Sequence, residues 1–190
     1  MKTMSNLNFY DTEAIDELAW PEKHTMLTID SPALDFFTDF NEVKPLIIEA
    51  RTSADEALQL MQKSHVRLKF VVDTENHFIG VVALEDLNDQ EIVKKLSQGY
   101  NRKDLQVTDF MKPKEQLKAF DFREVARSRI RDIVDVLQHS GQQHCLVIDR
   151  ETHRIRGIFS ASDISRKLHL PIDITNRASF YNVYSAVRQG

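Results

Sequence analysis

The sequence predicts an α/β protein: two copies of one strand–helix–strand–strand–helix unit, packed as a pseudo-twofold pair, with an N-terminal extension and a C-terminal helix. Three observations carry this. Ala54, Ala57, Leu58 and Met61 stand at i, i+3, i+4 and i+7, an apolar helical stripe that Ile130, Ile133, Val134 and Leu137 repeat 76 residues later. Each stripe is followed by two short β-branched and aromatic runs around a polar turn. Each copy then closes on an acid in register, Asp86 and Asp163. A unit of this size cannot close a core alone, so the two copies are expected to pack against each other.

The elements follow in order. Residues 1–32 form an acidic extension, 33–100 the first copy, 101–170 the second and 171–190 the terminal helix. Leu34-Asp35-Phe36-Phe37 leads into the first copy as Thr108-Asp109-Phe110-Met111 leads into the second. Ala50-Arg51-Thr52 is echoed by Ala126-Arg127-Ser128, and Ser53 with Glu56 makes a capping box at the first helix start. Arg67–Asp73 and Phe78–Val82 read as paired strands, matched by His144–Asp149 and Ile155–Phe159; their near-continuous apolar character suits strands covered on both faces. Asp89 to Lys103, with Ile92, Val93 and Leu96, reads as a linking helix ended by Gly99. Beyond Pro171, Phe180, Val183, Tyr184 and Val187 form an aromatic stripe on an amphipathic helix, fit either to cap this core or to pair two chains.

Composition removes several classes of function. The chain has 190 residues, 42% hydrophobic and 28% charged, with a formal net charge of −4; a protein that coats duplex DNA needs a basic surplus instead. Its single cysteine rules out an intrachain disulfide, a CxxC pair and a thiolate-rich zinc site. The five glycines are too scattered for a dinucleotide fingerprint or a P-loop. Neither a signal peptide nor a membrane span is visible, so a cytoplasmic location is expected. His139, His144 and Cys145 lie close in sequence, yet neighbours on a strand point to opposite faces, which argues against a shared metal ion or a Cys–His nucleophile; Cys145 reads as a small core residue. Charge is segregated: residues 1–50 hold ten acids against three lysines, whereas 120–170 turn basic. The two ends can pair head to tail, the basic half can meet an anion, or both are solvated surface.

The doubled pattern resembles a pair of cystathionine-β-synthase (CBS) domains, the Bateman module, in a stand-alone form of bacterial type. Its strongest signature, Gly-h-h-Ser/Thr-x-x-Asp-h (h, apolar), stands here as Gly157-Ile158-Phe159-Ser160-Ala161-Ser162-Asp163-Ile164, and Val107-Thr108-Asp109-Phe110-Met111 resembles the short helix that opens a repeat. The likeness covers about residues 33–170 and implies two tandem CBS-type β-α-β-β-α repeats. It also implies a regulatory module, not an enzyme, with no required cofactor and no metal. Members bind adenosine-containing ligands (AMP, ADP, ATP, S-adenosylmethionine) between the repeats and tune a partner. A homodimer and an unidentified protein partner follow from the same likeness, with no DNA and no membrane involved.

The resemblance also assigns residues. Asp163 would accept hydrogen bonds from both ribose hydroxyls, a task suited to the two oxygens of a carboxylate. Ser160 would meet a phosphate at the start of the following helix. Adenine would lie against Arg127-Ser128 and Gln142-Gln143. The first copy departs from the signature: Gly80-Val81-Val82-Ala83-Leu84-Glu85-Asp86-Leu87 places Ala83 where Ser or Thr belongs and Glu85 beside the aspartate. A weaker second site of Asp86, Thr52, Val66 and Arg67 is therefore expected. Taken alone, Ser160-x-x-Asp163 is also an ordinary helix cap. The competing function is thus a ligand-free scaffold, working through protein–protein contact or dimerisation.

Overall fold

The structure, a computed structural model, describes residues 9, 11–18, 26–172 and 178–189. Half of the acidic extension lies outside the described residues, and the elements below come from the rest of the chain. In chain order they are β1 (Thr38–Asp39), β2 (Ile47–Glu49), α1 (Ala54–Lys63), β3 (Leu68–Val72), β4 (Phe78–Ala83), α2 (Asp89–Ser97), β5 (Lys112–Pro113), β6 (Ala119–Asp121), α3 (Phe122–Val125), α4 (Ile130–Val136), β7 (His144–Asp149), β8 (Arg154–Ser160), α5 (Ala161–Lys167) and α6 (Phe180–Gln189). The doubled β-α-β-β-α order is present. As expected from the capping box, the Ser53 hydroxyl accepts the Glu56 N–H at 3.2 Å. The linking helix is shorter than expected and stops at Ser97, two residues before the left-handed Gly99 (φ 95°). After Ala83 the chain makes a 3₁₀ turn over Leu84–Leu87, where α5 follows Ser160 in the second copy.

The two sheets have strand orders β2-β3-β4-β5 and β1-β8-β7-β6. Each therefore borrows a strand from the other copy's lead-in: β1 pairs antiparallel with β8, and β5 with β4. The exchange repeats bond by bond. The Ala33 N–H donates to the Ser128 carbonyl and the Val107 N–H to that of Thr52, both at 2.9 Å. The Ile130 N–H meets Ser31 and the Ala54 N–H meets Leu105 in the same way. A division of the chain at residue 100 is thus one of sequence and not of sheets.

Three apolar clusters hold this together. Ala57, Met61, Val71, Val82 and Leu87 fill the first copy; Phe36, Ile130, Val147, Phe159 and Ile164 fill the second; Phe70, Val81 and Leu146 meet between the sheets. The α6 stripe settles its two alternatives, since Phe180 and Val183 are wholly buried in the second copy's core with Tyr184 and Val187 packed beside them. Cys145 is buried, and burial pushes its thiol up to about 12. It is expected to stay unreactive toward a thiol-specific disulfide reagent at pH 8 in the folded protein and to react at once in denaturant. Rapid labelling without denaturant would contradict the buried placement.

Part of the acidic front does meet the basic back. Asp30 lies 2.7 Å from Arg131, and Asp39 on β1 takes a bidentate pair from Arg156 on β8 at 2.8 and 2.7 Å. Both side chains of the second pair are about four-fifths covered, and Arg156 stacks 3.9 Å above the Phe122 ring. The guanidinium bonds hold the Asp39 carboxyl below its ordinary value. A carboxyl lowered by folding stabilises fully above the ordinary carboxylate range and loses that contribution as pH falls through the folded value. Asp39→Asn is therefore expected to cost about 1–2 kcal/mol at pH 7 and much less near pH 2, as read by urea unfolding at both.

Candidate functional site

A helix that follows a strand begins where that strand ends and brings the chain back to start its parallel neighbour. The strand-to-helix loops and helix-to-strand loops therefore lie at opposite ends of a sheet. Ala50 bonds Val72, and Asp121 stands beside Ile148, so Thr52, Arg127 and Ser128 follow at the hairpin-turn end. Leu68 stands opposite Ala83 and His144 opposite Ser160, so Val66, Arg67, Asp86, Gln142, Gln143, Ser160 and Asp163 gather at the other end. The four strand residues between correspond to about 13 Å. The structure therefore splits each expected set, and Thr52, Arg127 and Ser128 are not beside the aspartates. Thr52 and Ser128 instead use their carbonyls to fasten the crossing lead-ins, and the Ser128 hydroxyl donates to the Glu124 carbonyl at 2.8 Å.

At the gathered end the second copy is built around the start of α5. The Ser160 hydroxyl caps the helix by accepting the Asp163 N–H at 3.4 Å, and the Ala161 N–H donates to the Gln143 carbonyl at 2.8 Å. The Asp163 carboxylate is part-exposed and held by Arg166, one turn on. Gln142 is partly committed, its carbonyl accepting the first N–H of α6. Gln143 is the informative neighbour, because its side-chain Oε1 is buried with no hydrogen-bond partner. A buried orphan acceptor costs about 1–3 kcal/mol, so it suits an incoming N–H or O–H donor.

The first copy presents Arg67 where the second has Gln143, and the Leu84 N–H donates to the Arg67 carbonyl at 2.9 Å. With Ala83 offering no hydroxyl, the Asp86 carboxylate turns inward and accepts the Ala83 N–H at 2.9 Å. Burial raises the Asp86 carboxyl above its ordinary value, the Ala83 bond opposes this, and Glu85 adds to it. A shallow cavity of about 350 Å³ lies beside it, lined by Gln62, Arg67, Glu85 and Asn88 among others. The Val66 N–H is occupied by the Met61 carbonyl at 3.0 Å.

The residue that sequence reasoning missed is His144. On β7 it stands directly opposite Ser160 of β8, where the charges of Glu85 and Arg67 from one copy and Asp163 from the other all act on it. Burial is the largest influence and holds the imidazole below its ordinary value, so it is mainly neutral at pH 7. Its signal was its place as the first residue of a strand paired with the signature serine. Among the described residues, no group of three His, Cys, Asp or Glu side chains is placed to hold a metal ion, and no helix is long and apolar enough to cross a membrane.

Residues 39–90, from β1 through the start of α2, match the CBS domain family. That stretch is similar to a CBS domain. Solved structures similar to most of the chain include an uncharacterized conserved protein from Pyrococcus horikoshii (19% identity, 77% of this chain and 98% of that one, TM-score 0.56). A CBS-domain containing protein from Agrobacterium tumefaciens is similar at 15% identity over the same shares, with a TM-score of 0.54. CBSX2 of Arabidopsis thaliana, solved in complex with AMP, is similar at 23% identity over 72% of this chain and 94% of its own, with a TM-score of 0.51. No curated protein matches the sequence. The CBS match falls on the copy whose signature lacks its serine, and the full Gly157–Ile164 signature lies outside the matched residues.

Proposed function

We propose that this CBS-domain protein is a non-catalytic regulatory module whose second copy senses an adenosine-containing ligand and reports it to a partner. The observation that carries the reading is the convergence, at one end of the paired sheets, of the Asp163 carboxylate and the orphan Gln143 acceptor, with His144 between the copies. Asp163 takes the ribose diol after releasing Arg166, and Gln143 Oε1 accepts a donor such as the exocyclic amine of adenine. The AMP complex of CBSX2, a protein of the same fold, supports the ligand class.

The charges narrow the ligand. Asp86, Glu85, Glu91 and Asp163 outnumber Arg67, Arg166 and Lys112, and a neutral His144 adds no cation. α5 has only seven residues, and its Ser160 oxygen already accepts a bond. The end therefore suits adenosine, a monophosphate or the cationic S-adenosylmethionine better than a triphosphate. Because Arg67 and Glu85 face His144 across the two copies, a ligand seated there acts on their relative packing, provided it favours one arrangement.

A thermal-shift panel of adenosine, AMP, ATP and S-adenosylmethionine tests the reading. At a hundredfold excess over its Kd, a bound ligand adds about 2.7 kcal/mol, which for a chain of this length is a rise of about 5–10 °C. Silence from the whole panel on well-folded protein would favour the scaffold.

A further inference from the structure

A large cavity lies at the end of the sheets that the proposed sensor site leaves free. It is a cleft of about 1400 Å³ between the two hairpin turns, lined by both copies. Its floor is aromatic and aliphatic: Phe40 packs edge-on against Phe70 (5.1 Å), Phe78 lies 6.0 Å from Phe70, and Ile155 closes the far side. These belong to the cluster that joins the two sheets, where Phe40, Phe78 and Ile155 are only partly buried. The cleft is where that shared core opens to solvent.

Its rim is basic. Five Lys and Arg side chains line it against three carboxylates, Asp121, Asp149 and Glu151. Arg156 is fixed by Asp39, Arg123 pairs with Glu151, and Arg150 stands 3.7 Å from Asp121. Lys114 and Arg154 have no ion-pair partner among the described residues and come from opposite sides, one following β5 in the first sheet and the other opening β8 in the second. An apolar floor under unneutralised cations is complementary to a flat apolar body carrying negative charge.

We propose that this turn-end cleft is a second ligand site, selective for a planar aromatic anion: a ring system bearing phosphate, sulfonate or carboxylate. The ring lies over Phe40 and Phe78, and the anionic group meets Lys114 and Arg154. Its contacts with both sheets let such a ligand brace the two copies against each other, independently of Asp163.

The test titrates the protein with 8-anilinonaphthalene-1-sulfonate, an aromatic anion without a ribose, so that failure here leaves the Asp163 reading untouched. Fluorescence is expected to rise to saturation at one site. The double variant Lys114→Glu/Arg154→Glu is expected to bind about tenfold more weakly, and Lys114→Gln/Arg154→Gln about threefold. A charge-matched pair outside the cleft, Lys63→Glu/Lys103→Glu, is expected to bind as the wild type does. Should the reversal variant fail to fold, the glutamine pair alone decides. Unsaturable binding in the wild type, or equal affinity in the cleft and control variants, would overturn the proposal.

Discussion

Gly157→Ala is expected to lower the melting temperature by about 10 °C, corresponding to about 3 kcal/mol for a chain of this length. The reason is the exchange of lead-in strands. A Cβ at this position would stand 2.1 Å from the Thr38 carbonyl oxygen and 2.4 Å from the Phe37 ring, so β1 must leave β8 to make room. That movement also breaks the Asp39–Arg156 pair. Gly80→Ala meets the Lys112 carbonyl at 2.5 Å in the mirrored crossing and should be damaging in the same way. Gly141→Ala is the control, because no atom lies within 4 Å of its added Cβ. Thermal melts of the three variants check the series. A near-neutral Gly157→Ala would mean that the lead-in strands do not cross as described. The signature glycine thus has a structural task apart from any ligand.

The second large effect is on binding. Asp163→Ala is expected to remove the stabilisation that an adenosyl ligand confers, because losing charge-assisted bonds to two hydroxyls costs about 2–4 kcal/mol, or thirtyfold or more in affinity. The variant should fold normally, since the helix cap uses the Asp163 backbone N–H and the Ser160 hydroxyl, not the carboxylate. Asp86→Ala should matter less for ligand and more for folding, because its carboxylate is bonded to the Ala83 N–H in a half-buried turn.

Periodicity was enough to read the repeat from sequence. The stripes at Ala54–Met61 and Ile130–Leu137 became α1 and α4, and the two apolar runs of each copy became hairpins. The crossing of the lead-ins was not legible, because two-residue strands such as β1 and β5 carry no period and their partners lie more than a hundred residues away in one case and thirty in the other. The site was half legible. Asp163, Ser160, Gln142 and Gln143 lie at one end, but Arg127, Ser128 and Thr52 were carried over from the resemblance, and strand-and-helix topology puts them at the opposite end. His144 was weighed only as a metal ligand or nucleophile partner and set aside on both counts; its cross-strand pairing with Ser160 is what brings it to this end of the sheets.

The central claim, that the Asp163 carboxylate holds a ribose diol, is tested most directly by calorimetric titration with adenosine and 2′-deoxyadenosine. Wild type should bind adenosine at least tenfold more tightly than the deoxy compound, and Asp163→Ala should bind both weakly and alike. Equal affinity for the two compounds in the wild type, or a preference that survives in Asp163→Ala, would contradict it.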